Sequence, residues 1–239
     1  MPTPLPQSAF PSGAEAKPAA GPAAVARTVV ITPPPLMTVA NPVAGNPGLT
    51  TSGPALIQLL PLTTPETIIG SAAGCHIVVA HPSVKPQQAR LTLTGNRYVL
   101  DDLSNGQTQV SFSGEPTQLR AVQRNALRDG SLIQVGEVQL RFRQSAAQPP
   151  LLERRHALAS AGVTLGSDPT CELLISGAAP RQARVWQDGQ RWVVEELAGS
   201  GAFISYQGDP AQERPVAGRN ALKTGSTLRI ATTTLRLEV

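Results

Sequence analysis

The sequence predicts an all-β protein: two small antiparallel β-sandwiches of related sequence, in tandem behind a Pro/Ala-rich N-terminal tail. Beyond Pro54, short runs of Val, Leu, Ile and Thr are broken by Gly, Asn, Asp or Pro every eight to twelve residues, the pattern of a sandwich or barrel. No apolar stripe of helical period persists through this region. The second half of the chain also restates the first.

The tail comes first. Of 239 residues, the first 54 hold twelve prolines and ten alanines, with only Glu15, Lys17 and Arg27 charged. Such a stretch cannot repay its ordering entropy by apolar burial, so residues 1–54 are expected to be an extended linker. Within it, Thr28–Thr32 has strand composition and could dock on a sheet edge, and Pro33, Pro34 and Pro35 favour polyproline II.

Strands are expected at Ala55–Leu60, Thr67–Ile69, Ile77–Val79, Ala89–Leu93, Tyr98–Asp101 and Gln118–Val122. A closing hairpin follows, with Ser131–Val135 and Val138–Phe142 flanking the turn Gly136–Glu137.

The repeat lies in four blocks in constant order. Ile69-Gly70-Ser71 returns 96 positions later as Leu165-Gly166-Ser167. Gln88-Ala89-Arg90 returns 94 positions later as Gln182-Ala183-Arg184, and Leu103 returns as Leu197. Arg124-Asn125-Ala126-Leu127 returns 95 positions later as Arg219-Asn220-Ala221-Leu222. A unit of about 90 residues is too long for a solenoid repeat and suits one small sandwich. The expected domains are 55–144 and 151–239, with Gln144–Leu151 as the joint.

Composition narrows the function. The net charge is +4 with no block of like charges, and eight aromatics leave little for a base-stacking surface, which argues against nucleic acid. No run approaches the ~20 apolar residues of a membrane span, and the N-terminus lacks the order of a secretory signal, so a cytoplasmic location is expected. Seventeen of the 20 cations are arginine, a bias expected of a GC-rich bacterial genome.

With the blocks in place, each unit resembles a forkhead-associated (FHA) domain. The first unit carries Ile69-Gly70-Ser71, Cys75-His76-Ile77, Pro82 to Ala89, Leu103-Ser104-Asn105-Gly106-Gln107-Thr108 and Leu127 to Gly136. The second carries Leu165-Gly166-Ser167, Cys171-Glu172-Leu173, Pro180-Arg181-Gln182-Ala183, Leu197 to Gly201 and Leu222 to Leu228. The resemblance implies a β-sandwich whose loops hold a phosphothreonine peptide through an arginine, a serine and an asparagine, the arginine supplying the charged donor.

The departures fall on those ligand positions. The arginine is Ser71 in one unit and Ser167 in the other, and the family serine falls on Lys85 and Ala179. The family's structural histidine falls on Gln88 and Gln182, each with a donor and an acceptor able to tie a loop. Asn105 survives in the first unit, and the second offers Ser200 between glycines. Lys85 and Arg181 are the residual cations, and Ser71, Ser83 and Ser167 are neutral hydroxyl donors.

Cys75 and Cys171 each follow the repeat glycine by five residues, so they occupy equivalent points of two domains and are expected reduced and buried. His76, His81 and His156 stand in no catalytic or metal-ligand pattern. Asp101-Asp102 and Glu195-Glu196 are adjacent on strands, so each pair splits to opposite faces and forms no dyad. The chain thus reads as a non-catalytic protein–protein interaction module with no cofactor and no metal. The first hypothesis is a phosphate-independent adaptor or structural subunit of a multi-subunit assembly. The alternative is a phosphothreonine-peptide reader in Ser/Thr kinase signalling, mainly through the first unit.

Overall fold

A computed structural model of the chain describes residues 53–146, 148–159, 161–199 and 201–239. The expectations for residues 1–52, including the strand at Thr28–Thr32, lie outside the described residues, as does Ser200.

Among the described residues, twenty strands and two short 3-10 turns repeat one order twice. The first ten strands are β1 (Ala55–Pro61), β2 (Glu66–Gly70), β3 (Ile77–Val78), β4 (Ala89–Thr94), β5 (Arg97–Asp102), β6 (Thr108–Ser111), β7 (Arg120–Ala121), β8 (Arg124–Ala126), β9 (Leu132–Val135) and β10 (Val138–Ser145). The second ten are β11 (Gln148–Ala157), β12 (Val163–Gly166), β13 (Leu173–Leu174), β14 (Ala183–Asp188), β15 (Arg191–Glu196), β16 (Ala202–Ser205), β17 (Arg214–Pro215), β18 (Arg219–Leu222), β19 (Thr227–Ile230) and β20 (Thr233–Glu238).

Two five-stranded sheets, β3-β2-β4-β5-β8 and β13-β12-β14-β15-β18, pack against a ten-stranded sheet ordered β17-β16-β19-β20-β1-β11-β10-β9-β6-β7. Pairing is antiparallel except for the short edge strands β3 and β13, which run parallel to β2 and β12. Period-two alternation builds each core: Val138, Leu140 and Phe142 of β10 face Ala89 and Leu91 of β4 and Tyr98 and Leu100 of β5. The Tyr98 and Phe142 rings meet at 5.6 Å between centroids.

The strand expected at Ala55–Leu60 forms, but it does not pair with the last strand of the first repeat. β1 pairs with β20, and β11 pairs with β10. Leu56 of β1 therefore packs in the second core, and Leu152 of β11 in the first. β1 and β11 also pair with each other, Gln58 opposite Arg154, which joins the two sandwiches through one continuous sheet. The stretch read as a joint, Gln144–Leu151, belongs to the β10–β11 hairpin. Its brevity is the physical reason for the exchange: β11 follows β10 so closely that it takes the neighbouring place, leaving β1 for β20.

Other differences are local. The strand expected at Gln118–Val122 is preceded by a 3-10 turn, Pro116–Gln118, because Pro116 fixes φ and has no N–H for a ladder; pairing is confined to Arg120–Ala121. β6 was hidden by the turn-forming residues Ser104 to Gln107 that run into it. Gly136 turns the β9–β10 hairpin at φ +59°, and a Cβ there would lie 2.5 Å from the Ser83 carbonyl oxygen.

Candidate functional site

The loops that carry the sequence-marked residues are tied by one buried glutamine in each sandwich. Gln88 is fully buried; its Oε1 accepts from the Lys85 amide at 2.9 Å and its Nε2 donates to Thr108 Oγ1 at 3.3 Å. Its backbone oxygen accepts from the Leu103 amide at 3.0 Å, so it binds two loops at once. Ser71 joins the same group, its amide donating to the Lys85 carbonyl at 2.9 Å. Gly70 permits that approach, since a Cβ would meet the Pro86 carbonyl oxygen at 2.1 Å.

The second sandwich repeats the arrangement. Gln182 Oε1 accepts from the Ala179 amide at 2.9 Å, and Nε2 donates to Glu196 Oε1 at 2.7 Å. The Ser167 amide donates to the Ala179 carbonyl at 3.0 Å. Lys85 and Ala179 are thus structural equivalents.

Asp102 holds the loop carrying Asn105. Its Oδ1 accepts from the Ser104 and Thr108 hydroxyls, both at 2.5 Å, and its Oδ2 from the Gly106 amide. Burial pushes the Asp102 carboxyl up, but these hydrogen bonds outweigh it and hold the group below the ordinary range. Asn105 stands at φ +66° and Gly106 at +88°, which leaves the Asn105 side chain exposed at the turn. Asp101 points the other way, 3.5 Å from both Arg90 and Arg124. Glu196 fills the Asp102 role in the second sandwich, also accepting from the Ala202 amide at 3.2 Å. The sequence had marked these carboxylates as strand-end pairs; their use as loop holders was signalled only by the Ser104 and Thr108 hydroxyls nearby.

Ser83 stands apart from the other marked residues. Its Oγ lies 2.7 Å from His81 Nδ1 and accepts from the Glu137 amide at 2.8 Å, clamping its loop to the β9–β10 turn. His76 is likewise structural: its Nδ1 accepts from the Ile68 amide at 3.0 Å, as Glu172 Oε2 accepts from Thr164 at 2.7 Å in the second sandwich. Cys75 and Cys171 are free and buried, with Sγ atoms donating to the Pro86 and Pro180 carbonyls at 3.1 and 3.2 Å.

The two ligand-loop regions differ in charge. In the first, Lys85 is exposed beside Ser71 and Ala72. In the second, Asp168 takes the place of Ala72, and its carboxylate accepts from the Thr170 amide and hydroxyl at 2.8 and 2.6 Å. Those bonds, with a contribution from Arg181, hold the Asp168 carboxyl below its ordinary value. An exposed leucine flanks each region, Leu103 at 40% and Leu197 at 46%.

Comparison with known proteins gives a family for the first sandwich: residues 67–136 match the FHA domain. No significant match is found among curated protein sequences. Among solved structures, Mycobacterium tuberculosis EmbR bound to a low-affinity phosphopeptide is 26% identical with a TM-score of 0.31, the match covering 39% of this chain and 26% of EmbR. The FHA-2 domain of an ABC transporter of the same organism is 25% identical over 40% of this chain and 78% of its own, TM-score 0.30. An FHA domain from Chlamydia trachomatis is 18% identical over 42% and 94%, TM-score 0.31. No helix among the described residues is long and apolar enough to cross a membrane. Residues 67–136 are an FHA domain, a module of protein–protein interaction, and the second sandwich repeats its strand order.

Proposed function

We propose that the chain is a phosphate-independent interaction module, an adaptor or structural subunit of a multi-subunit assembly in the bacterial cytoplasm. The observation that carries this reading is the charge at the ligand loops. Ser71 and Ser167 stand where the family places its phosphate-binding arginine, and in the second sandwich the neighbouring Asp168 adds a negative charge. A phosphate dianion there would meet like charge. In the first sandwich Lys85 is a point charge without arginine's bidentate fork, and the Ser83 hydroxyl is already engaged by His81 and Glu137. The loops keep their shape because Gln88, Asp102, Gln182 and Glu196 are hydrogen-bonded from within. A preserved loop frame with exposed Leu103 and Leu197 suits contact by shape and apolar area.

The test is a titration of the intact, isotope-labelled chain with a phosphothreonine pentapeptide. The amide resonances of Ser71, Lys85 and Asn105 should not shift saturably below millimolar peptide. Saturable shifts at micromolar peptide would favour the phosphothreonine reader instead.

A further inference from the structure

The strand exchange creates a cleft that neither sandwich has alone. On the inward face of the continuous sheet, Leu56 and Leu152 enter the two cores, and between them stand Gln58, Arg154 and His156. These three floor a cleft of about 500 Å³. Its walls are the edge strands of the two five-stranded sheets: Val78 ends β3 and Ala80 follows it, while Leu174 and Ser176 are their counterparts at β13. Val78 is 48% and Leu174 41% exposed, large apolar side chains on either side of one opening.

Arg154 is the exception among the arginines of the central strands. On the outward face, Arg143 and Arg236 pair with Glu153 at 2.9 and 3.0 Å, and Arg155 and Arg236 pair with Glu238 at 3.2 and 3.0 Å. Arg154 points inward, is partly buried, and makes no ion pair or side-chain hydrogen bond among the described residues. His156 Nε2 lies 3.3 Å from Gln58 Oε1, and burial together with Arg154 holds this imidazole neutral, to about 3. The one acid in the lining, Glu172, has its carboxylate on the Thr164 amide. The floor thus presents one guanidinium engaged in no ion pair among the described residues, flanked by the exposed apolar side chains of Val78 and Leu174.

We propose that this inter-sandwich cleft binds an extended peptide segment of a partner protein, placing one carboxylate side chain on Arg154 between apolar neighbours that rest on Val78 and Leu174. A single guanidinium matches a single carboxylate in charge and in its two-pronged geometry. A phosphate dianion would leave one charge unbalanced, because His156 contributes none. The volume falls within the ~300–1,000 Å³ of ligand clefts, and both walls are sheet edges of the kind to which extended peptides add. The lining excludes Ser71, Lys85 and Asn105 of the first sandwich and takes in Ser167 of the second.

The probe is a library of capped pentapeptides with Val, Leu, Ile or Thr at the flanks and Glu, Gln, Lys or phosphothreonine fixed at the centre, titrated against the intact chain by fluorescence polarisation. The Glu set should bind about tenfold or more tighter than the Gln set, as expected for a charge-assisted pair. Arg154→Met and Leu174→Glu should each remove that preference, Arg154→Lys should keep part of it, and Lys85→Ala should leave it intact. Leu174 is exposed, so its variant keeps the test valid even where Arg154→Met perturbs folding. No preference for Glu, a preference that survives both Arg154→Met and Leu174→Glu, or selection of phosphothreonine in its place would overturn the proposal.

Discussion

Leu56 and Leu152 occupy equivalent places in the two repeats, and each is buried in the core of the sandwich formed mostly by the other repeat. The exchange follows from pairing: Leu56 stands opposite Leu237 of β20, and Leu152 opposite Phe142 of β10. Outward ion pairs from Arg143, Arg155 and Arg236 to Glu153 and Glu238 cross the same four strands. The two sandwiches therefore share structure as well as sequence.

Leu152→Ala should destabilise the whole chain by about 2–5 kcal/mol, the usual range for truncating a buried leucine. Both tryptophans, Trp186 and Trp192, lie in the second sandwich, whereas Leu152 packs in the first. Tryptophan fluorescence during urea unfolding should nevertheless show a lower midpoint. An unchanged tryptophan transition would mean that the sandwiches unfold independently.

Gln88→Ala should cost about 1–3 kcal/mol, because it strips a partner from the buried Thr108 hydroxyl and from the Lys85 amide. Hydrogen exchange should quicken at Lys85, whose amide donates to the Gln88 side chain, and less at Leu103, whose amide donates to the backbone oxygen that alanine keeps. Equal protection in the variant would show that the loops hold without it.

Acid sensitivity should come first from His156. Burial, and then the charge of Arg154, keep the folded imidazole neutral down to about 3, against an ordinary value of 6.5. The unfolded chain therefore takes up the extra proton, and stability should fall by a few kcal/mol as pH drops from about 6.5 towards about 3. Asp102 and Glu172, both held low, add to the loss only below about 4.5. Urea midpoints between pH 7 and 4.5 should thus decline in the parent chain and stay nearly flat in His156→Gln. Parallel declines in both would refute this assignment.

Much of this architecture is legible in the sequence, for reasons visible at particular residues. The β4, β5 and β10 strands alternate cleanly because one face is core, and Gly136 marks its hairpin because only glycine tolerates that approach to Ser83. Gln88 and Gln182 are recognisable as loop ties because they repeat at a fixed place and carry both donor and acceptor. The exchange of β1 and β11 is not legible, since Leu56 and Leu152 have equivalent sequence surroundings and either core would accept either strand. Only the shortness of the β10–β11 hairpin decides it. Arg154 is silent for the same reason: in sequence it is one more arginine on a strand, and its isolation arises only where two cores end against a shared sheet.

On the proposed reading, recognition by this module does not run through phosphate. Calorimetry on the intact chain with matched phosphothreonine and threonine peptide libraries tests it most directly, with Ser71→Arg alongside to restore the charged donor that the first sandwich lacks. A charge-assisted hydrogen bond contributes about 1.5–3 kcal/mol, roughly ten- to a hundredfold in affinity. The parent chain should bind the two libraries with the same affinity, and only Ser71→Arg should prefer the phosphorylated one. Micromolar, phosphate-dependent binding by the parent chain that Lys85→Ala abolishes would contradict that reading.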